Sequence, residues 1–194
     1  MNQIIEFITS RKAIRKFRPE KLKREELEEI ITAALYAPSA GGRQTALFAV
    51  CEDEVINDKI GRINRNLFWG DRVKTGGKGV SEVQPSIADT MDIPSAFYKA
   101  PCVITVFMPK GFLYAHDDAC VAAQNIMLAA HALGIGSCMI GRADKTFEDE
   151  YCAGVARSWG IPQGYEAQCH VALGYVEGKY PAKTPRRENR VFWN

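Results

Sequence analysis

The chain has 194 residues, 46% of them hydrophobic, with 25 basic and 23 acidic side chains and a net charge of +2. That length suits one α/β domain with its own core, and the near-balanced charge argues against nucleic acid or an anionic membrane as a partner. No apolar run reaches the roughly 20 residues of a membrane helix, and the first ten residues lack the regions of an export signal; six cysteines without a CxxC pair and three histidines without ligand spacing then read as free thiols in a cytoplasmic protein with no metal site.

Ile4, Ile5 and Ile8 recur at helical spacing and predict a short helix over Asn2–Ser10. Arg11 to Pro19 is a basic, extended connector. Leu27, Ile30, Ile31, Ala34 and Leu35 form the apolar stripe of a helix over Leu22–Tyr36, with Glu25, Glu26, Glu28 and Glu29 early in it, where the dipole favours them. Ala37–Gln44 is a Gly- and Ser-containing loop, Ala46–Cys51 a strand and Glu54–Ile63 a helix. The stretch 64–98 is rich in Gly, Ser, Asp and Pro and is expected to be a lid or insertion.

Cys102–Met108 is a continuous apolar run, as in a strand buried on both faces. Asp117 is the expected N-cap of the next helix and Gly134 its C′ residue. That helix is apolar nearly all round and rich in alanine, which suits a central helix or a dimer interface. Ser137–Ile140 reads as a short strand or turn, Thr146–Trp159 as one helix, and Ala167–Tyr175 as a strand. After Gly174 a long basic tail follows. The whole chain, 1–194, reads as a single domain.

Three segments could bind a cofactor or anion. In Ser10–Phe17, arginines between two helices could grip a phosphate, although on composition alone the run is a solvated connector. In Ala37–Gln44, glycines allow close approach of a flat ligand, while Ser39 and Gln44 can bond ring heteroatoms; an ordinary loop has the same composition. Gly134–Gly141 is glycine-rich but runs from a helix into a strand, the wrong order for a dinucleotide fingerprint.

Together, RKxxRxF after a first helix, APSAGGRQ after a second, a buried helix running into GIGSCMIG, and a strand ending in LGY resemble the FMN-dependent nitroreductase-like family across essentially the whole chain. The resemblance implies an α+β, three-layer nitroreductase-like fold, with a central, mostly antiparallel sheet flanked by helices in an intertwined homodimer. It implies FMN in clefts between subunits, with the tail, 176–194, lying on the partner. It assigns Arg11 to the phosphate or ribityl, Lys12 to a second basic position and Arg15 to the flavin N1 and O2. Pro38, Ser39, Ala40 and Gln44 would come from the other subunit. Backbone at Ile140 and Gly141 would face the ring and N5, and Arg186 or Arg187, preferably Arg187, would reach the phosphate. Ala13 stands where serine is usual, Gly42 where asparagine is usual and Thr45 where proline is usual. The implied activity is hydride transfer from NAD(P)H to a nitroaromatic, quinone or similar small electrophile by a ping-pong mechanism. The flavin carries the chemistry and no side chain is assigned a catalytic role. An FMN-binding protein with an oxygen-dependent or carrier role is the alternative, and a protein-interaction module is a third.

Overall fold

The computed structural model describes residues 2–75, 82–183 and 185–194. Helix α1 (Gln3–Ser10) is capped by Asn2, whose side chain accepts the Ile4 N–H. Helix α2 (Arg24–Leu35) starts where Glu26 folds back to accept the Lys23 N–H at 2.9 Å, the return half of a capping box. The same carboxylate accepts the Tyr175 hydroxyl at 2.7 Å and ties α2 to the sheet. Four strands, β1 (Leu47–Cys51), β2 (Cys102–Pro109), β3 (Ile135–Ile140) and β4 (Tyr165–Tyr175), pair antiparallel in the order β1-β2-β4-β3. The expected α+β architecture is therefore present, with helices on both faces.

One face carries Ile104, Val106 and Met108 of β2 and Cys169, Val171 and Leu173 of β4. They pack against Leu27, Ile30 and Ala34 of α2 and against Ala119, Ala123 and Ile126 of α4 (Ala115–Ala132). Small residues on α4 let α2 approach closely. The helix is not buried all round in this chain: Val121 and Gln124 lie on an exposed side. The other face is covered by the connector, α3 (Glu54–Thr75), the segment 84–100, α5 (Ala143–Thr146) and α6 (Glu150–Ser158). Its apolar members include Ile14, Ile60, Phe97, Val103 and Ala172.

Three expectations need correction. Helix α3 continues through 64–75, so the irregular segment begins later than residue 64. Asn57 and Asn64 interrupt the apolar stripe, but both are buried and hydrogen-bonded, which keeps the helix intact. Part of the expected lid, 76–81, lies outside the described residues. Asp117 does not cap α4. Tyr114 holds the N-cap position, and both Asp117 and Asp118 fall in the first turn. The helix predicted over Thr146–Trp159 begins only at Glu150: Thr146 is the last residue of the short helix α5, and Asp149 caps α6 by accepting the Tyr151 and Cys152 N–H groups. Gly134, with φ +73°, takes the left-handed C′ position after α4 as expected.

Candidate cofactor-binding site

The connector is held on the sheet by backbone pairing. Ala13 bridges Ser137, the Ile14 N–H donates to the Ser137 carbonyl at 2.9 Å, and Phe17 bridges Val176 beyond the end of β4. The pairing needs two facing glycines, Gly136 and Gly174. A Cβ on Gly136 would come within 2.8 Å of Ile14, and one on Gly174 within 2.7 Å of Pro101 and 2.9 Å of Phe17. Ile14 and Phe17 are thereby buried, and the alternating basic residues are held in fixed positions along β3.

Gln84 grips the connector next. Its Oε1 accepts the Arg15 N–H at 2.7 Å and the Lys16 N–H at 3.1 Å, while its carbonyl accepts Arg15 Nη1 at 2.9 Å. The Arg15 guanidinium lies 5.9 Å from the Tyr98 ring centroid. From the other side, the Tyr180 hydroxyl accepts the Lys12 N–H at 2.6 Å, and its ring stacks on His131. Residues 176–180 thus pack on the connector of their own chain. Val191, Phe192 and Trp193, further on, are exposed.

This assembly collects positive charge. Burial, and then Arg186, Lys183 and Arg11, lower the Lys12 pKa, because each disfavours another cation there. Burial and Arg11 lower that of His131 in the same way. Burial pushes the Cys138 thiol up, while Arg15 and Arg11 partly offset the shift. Arg11 Nη1 and Arg15 Nε are buried without a hydrogen-bond partner. Among the described residues, the salt bridges join Arg18 to Glu20, Arg24 to Glu28, Arg62 to Asp58 and Lys145 to Glu148, and none includes a cation of this cluster. Buried donors without acceptors are costly to a folded chain unless a ligand completes them.

Ile140 ends β3, three residues from Ser137 and so about 10 Å along the strand, and Gly141 follows it. Gly141 leads into Arg142, a non-glycine residue at φ 61°. The Asn64 side chain donates to the Gly141 carbonyl and to Thr146 Oγ1, both at 2.8 Å, and Thr146 Oγ1 donates to the Arg142 carbonyl at 2.6 Å.

The structure brings Arg11, Lys12, Ala13, Arg15, Arg186, Ile140 and Gly141 to the β3 side of the sheet. It sets Pro38, Ser39, Ala40 and Gln44 apart from them, in the loop entering β1 at the opposite edge. There the Ala40 N–H donates to both Asp118 oxygens at 3.0 and 3.1 Å, and the Ser39 hydroxyl accepts the Gln44 N–H at 3.0 Å. A cleft of about 500 Å³ adjoins this loop, lined by Pro38, Ser39, Gln44, Phe48 and Asp118 among others. A larger cleft, of about 700 Å³, between α5, α6 and the start of β4 contains none of the predicted residues. Of the tail, Arg186 and Lys183 act on Lys12; both are exposed, as is Arg187.

Sequence reasoning missed Gln84, Asn64, Thr146, Tyr180 and Lys183. For Asn64 a signal existed: Asn57 and Asn64 are seven residues apart on the apolar stripe of one helix, where a polar side chain needs a buried partner. The other four come from segments far apart in sequence and carry no local pattern.

The nitroreductase family model matches residues 8–175. A protein of Methanothermobacter thermautotrophicus provisionally named NADH dehydrogenase/NAD(P)H nitroreductase is 29% identical over 182 residues, covering 94% of this chain and 79% of its own. The iodotyrosine deiodinase of Thermotoga neapolitana is 24% identical over 203 residues, covering 100% and 99% of the two chains. A crystal structure of a nitroreductase with bound FMN from Desulfitobacterium hafniense superposes with a TM-score of 0.78 at 25% identity over 100% of both chains.

Proposed function

Because the chain belongs to the nitroreductase family, we propose that it is an FMN-dependent oxidoreductase that takes hydride from NAD(P)H and reduces a small electrophilic acceptor. The observation that carries the cofactor is the set of cations without carboxylate partners around the connector, two of whose guanidinium groups bury an unpartnered nitrogen. A phosphate monoester is the acceptor that Arg11 and Lys12 lack, and the carbonyl edge of a heterocycle is the acceptor that Arg15 lacks.

Arg11 and Lys12, with Arg186 or Arg187 from the tail, would hold the phosphate. Gln84 and Tyr98 restrain Arg15, which would stand at the pyrimidine edge; a fixed cation there favours negative charge on the bound ring. Backbone at Ile140 and Gly141 would line the ring near N5. FMN, when bound, supplies the two-electron chemistry, and the protein supplies position and field. A reduced nicotinamide and then the acceptor would use one open face in turn, a ping-pong order.

Pro38, Ser39, Ala40 and Gln44 sit at the sheet edge opposite the cations, so one chain offers two halves of a cleft. A two-fold homodimer would join the halves, and the exposed side of α4 and the apolar tail end are surfaces it could bury. Acceptors include nitroaromatics and quinones. The deiodinase relative adds halogenated aromatics, whose reduction needs the same electrons.

Purified protein should be yellow, release about one FMN per chain and bleach when a reduced nicotinamide is added anaerobically. Bound FMN that bleaches with neither NADH nor NADPH would overturn the NAD(P)H reading and favour an oxygen-dependent or carrier role.

A further inference from the structure

We infer that Asn64 is a positioning residue, whose buried carboxamide holds the Gly141–Arg142 turn in the shape that receives FMN; the inference rests on the cofactor reading above. Asn64 is 0% exposed. Its Nδ2 reaches the Gly141 carbonyl and Thr146 Oγ1, both at 2.8 Å. The Gly141 carbonyl can only accept, and Thr146 Oγ1 has already spent its proton on the Arg142 carbonyl. Only an NH2 group satisfies that pair. An aspartate oxygen would face two acceptors.

The turn needs an outside hold. Arg142 sits in the left-handed region, which a side chain with a Cβ disfavours. Helix α5 beyond it is only four residues long and cannot fix its own entry. Asn64 and Thr146 between them secure the carbonyls of Gly141 and Arg142, and Asn64 does so from α3, a separate element. The Ile140–Gly141 backbone therefore takes its place from α3 as well as from β3.

The same helix contains its own control. Asn57 is 3% exposed, and its Nδ2 donates to the Cys51 carbonyl at 2.9 Å, at the end of β1. Asn57→Leu removes a bond of the same kind from the same helix without touching the turn. A merely structural role for Asn64 would make the two variants behave alike.

The experiment is an FMN titration of the FMN-stripped protein, followed by flavin fluorescence, together with amide exchange on the FMN-free protein. Asn64→Leu and Thr146→Val each remove two hydrogen bonds at the turn and should each raise the FMN dissociation constant about tenfold or more, and Asn64→Asp should raise it further. Asn57→Leu, and Thr146→Ser, which keeps the hydroxyl, should stay within about twofold of wild type. The Thr146 and Phe147 amides, bonded to the Arg142 and Ala143 carbonyls, should exchange about tenfold faster in Asn64→Leu than in Asn57→Leu. FMN binding by wild type with equal affinity in Asn64→Leu, Thr146→Val and Asn57→Leu would overturn the inference and leave the cofactor reading standing. No FMN uptake by wild type would overturn both. If Asn64→Leu does not fold, the Thr146 pair decides the question.

Discussion

Ile104, Val106 and Met108 of β2 meet α2 and α4 through carbon and sulfur alone, whereas Thr105 of the same strand, pointing the other way, bonds a histidine. That contrast extends across the sheet. The α2–α4 side is chiefly a packed apolar layer, with polar ties from Glu26 to Tyr175, Asn125 to Ala33 and Asp118 to Ala40 at its margins. The opposite side buries Asn57, Asn64, Gln84, Thr105, Thr146 and His170, and each either ties one segment to another or reaches the cation-bearing connector. Apolar burial supplies stability without direction. Buried hydrogen bonds add little net stability but fix geometry. The first face holds the domain together, and the second sets where the connector and the Gly141 turn stand.

Substitutions on the two faces should therefore separate stability from cofactor binding. Ile104→Ala, on the apolar face, should cost about 2–5 kcal/mol in urea unfolding of the FMN-free protein and leave FMN affinity nearly unchanged. Arg11→Met should do the reverse. It removes a buried unpartnered nitrogen, so stability should hold or rise, while the FMN dissociation constant rises about 10–100-fold. Gly136→Ala should lie between them. Its methyl would meet Ile14, at a cost of about 1–3 kcal/mol, and the displaced connector should bind FMN more weakly.

The last effect, a pH slope, involves stability alone. His170 is fully buried between Phe97 and Phe147, bonded to Thr105, and burial depresses its pKa to about 3 from 6.5. Above pH 6.5 it is neutral folded or unfolded and adds no slope. Below that value the unfolded chain takes up a proton that the folded chain refuses until about pH 3, so stability falls by up to about 1.4 kcal/mol per pH unit. Urea midpoints between pH 7.5 and 5 should show the loss on the acid side, and His170→Gln should flatten it.

The apolar face was the legible one. The α2 stripe and the β2 run are local patterns, and local patterns are what periodicity reads. The connector was legible as a basic segment, but its seat on β3 depends on Gly136 facing Gly174 across two strands, a pairing that no single segment displays. The periodicity ends helix α3 at Ile63 because Asn64 and Gly70 dilute its stripe. Asp118 carries no local signal of its role, yet it anchors the Ala40 N–H, 78 residues away in sequence. The Asp149 cap falls inside a stretch, Thr146–Trp159, whose pattern predicts one helix. The site motifs were found through their resemblance to a family, while the residues that hold them, Gln84 and Asn64, act across distance.

The most direct test of the account is equilibrium binding of FMN to wild type and to Arg11→Met, with stoichiometry and affinity read from one titration. The account predicts about one FMN per chain for wild type and a loss of at least about tenfold in the variant, with both proteins equally folded. Equal affinity in the two, or no uptake by wild type, would contradict it.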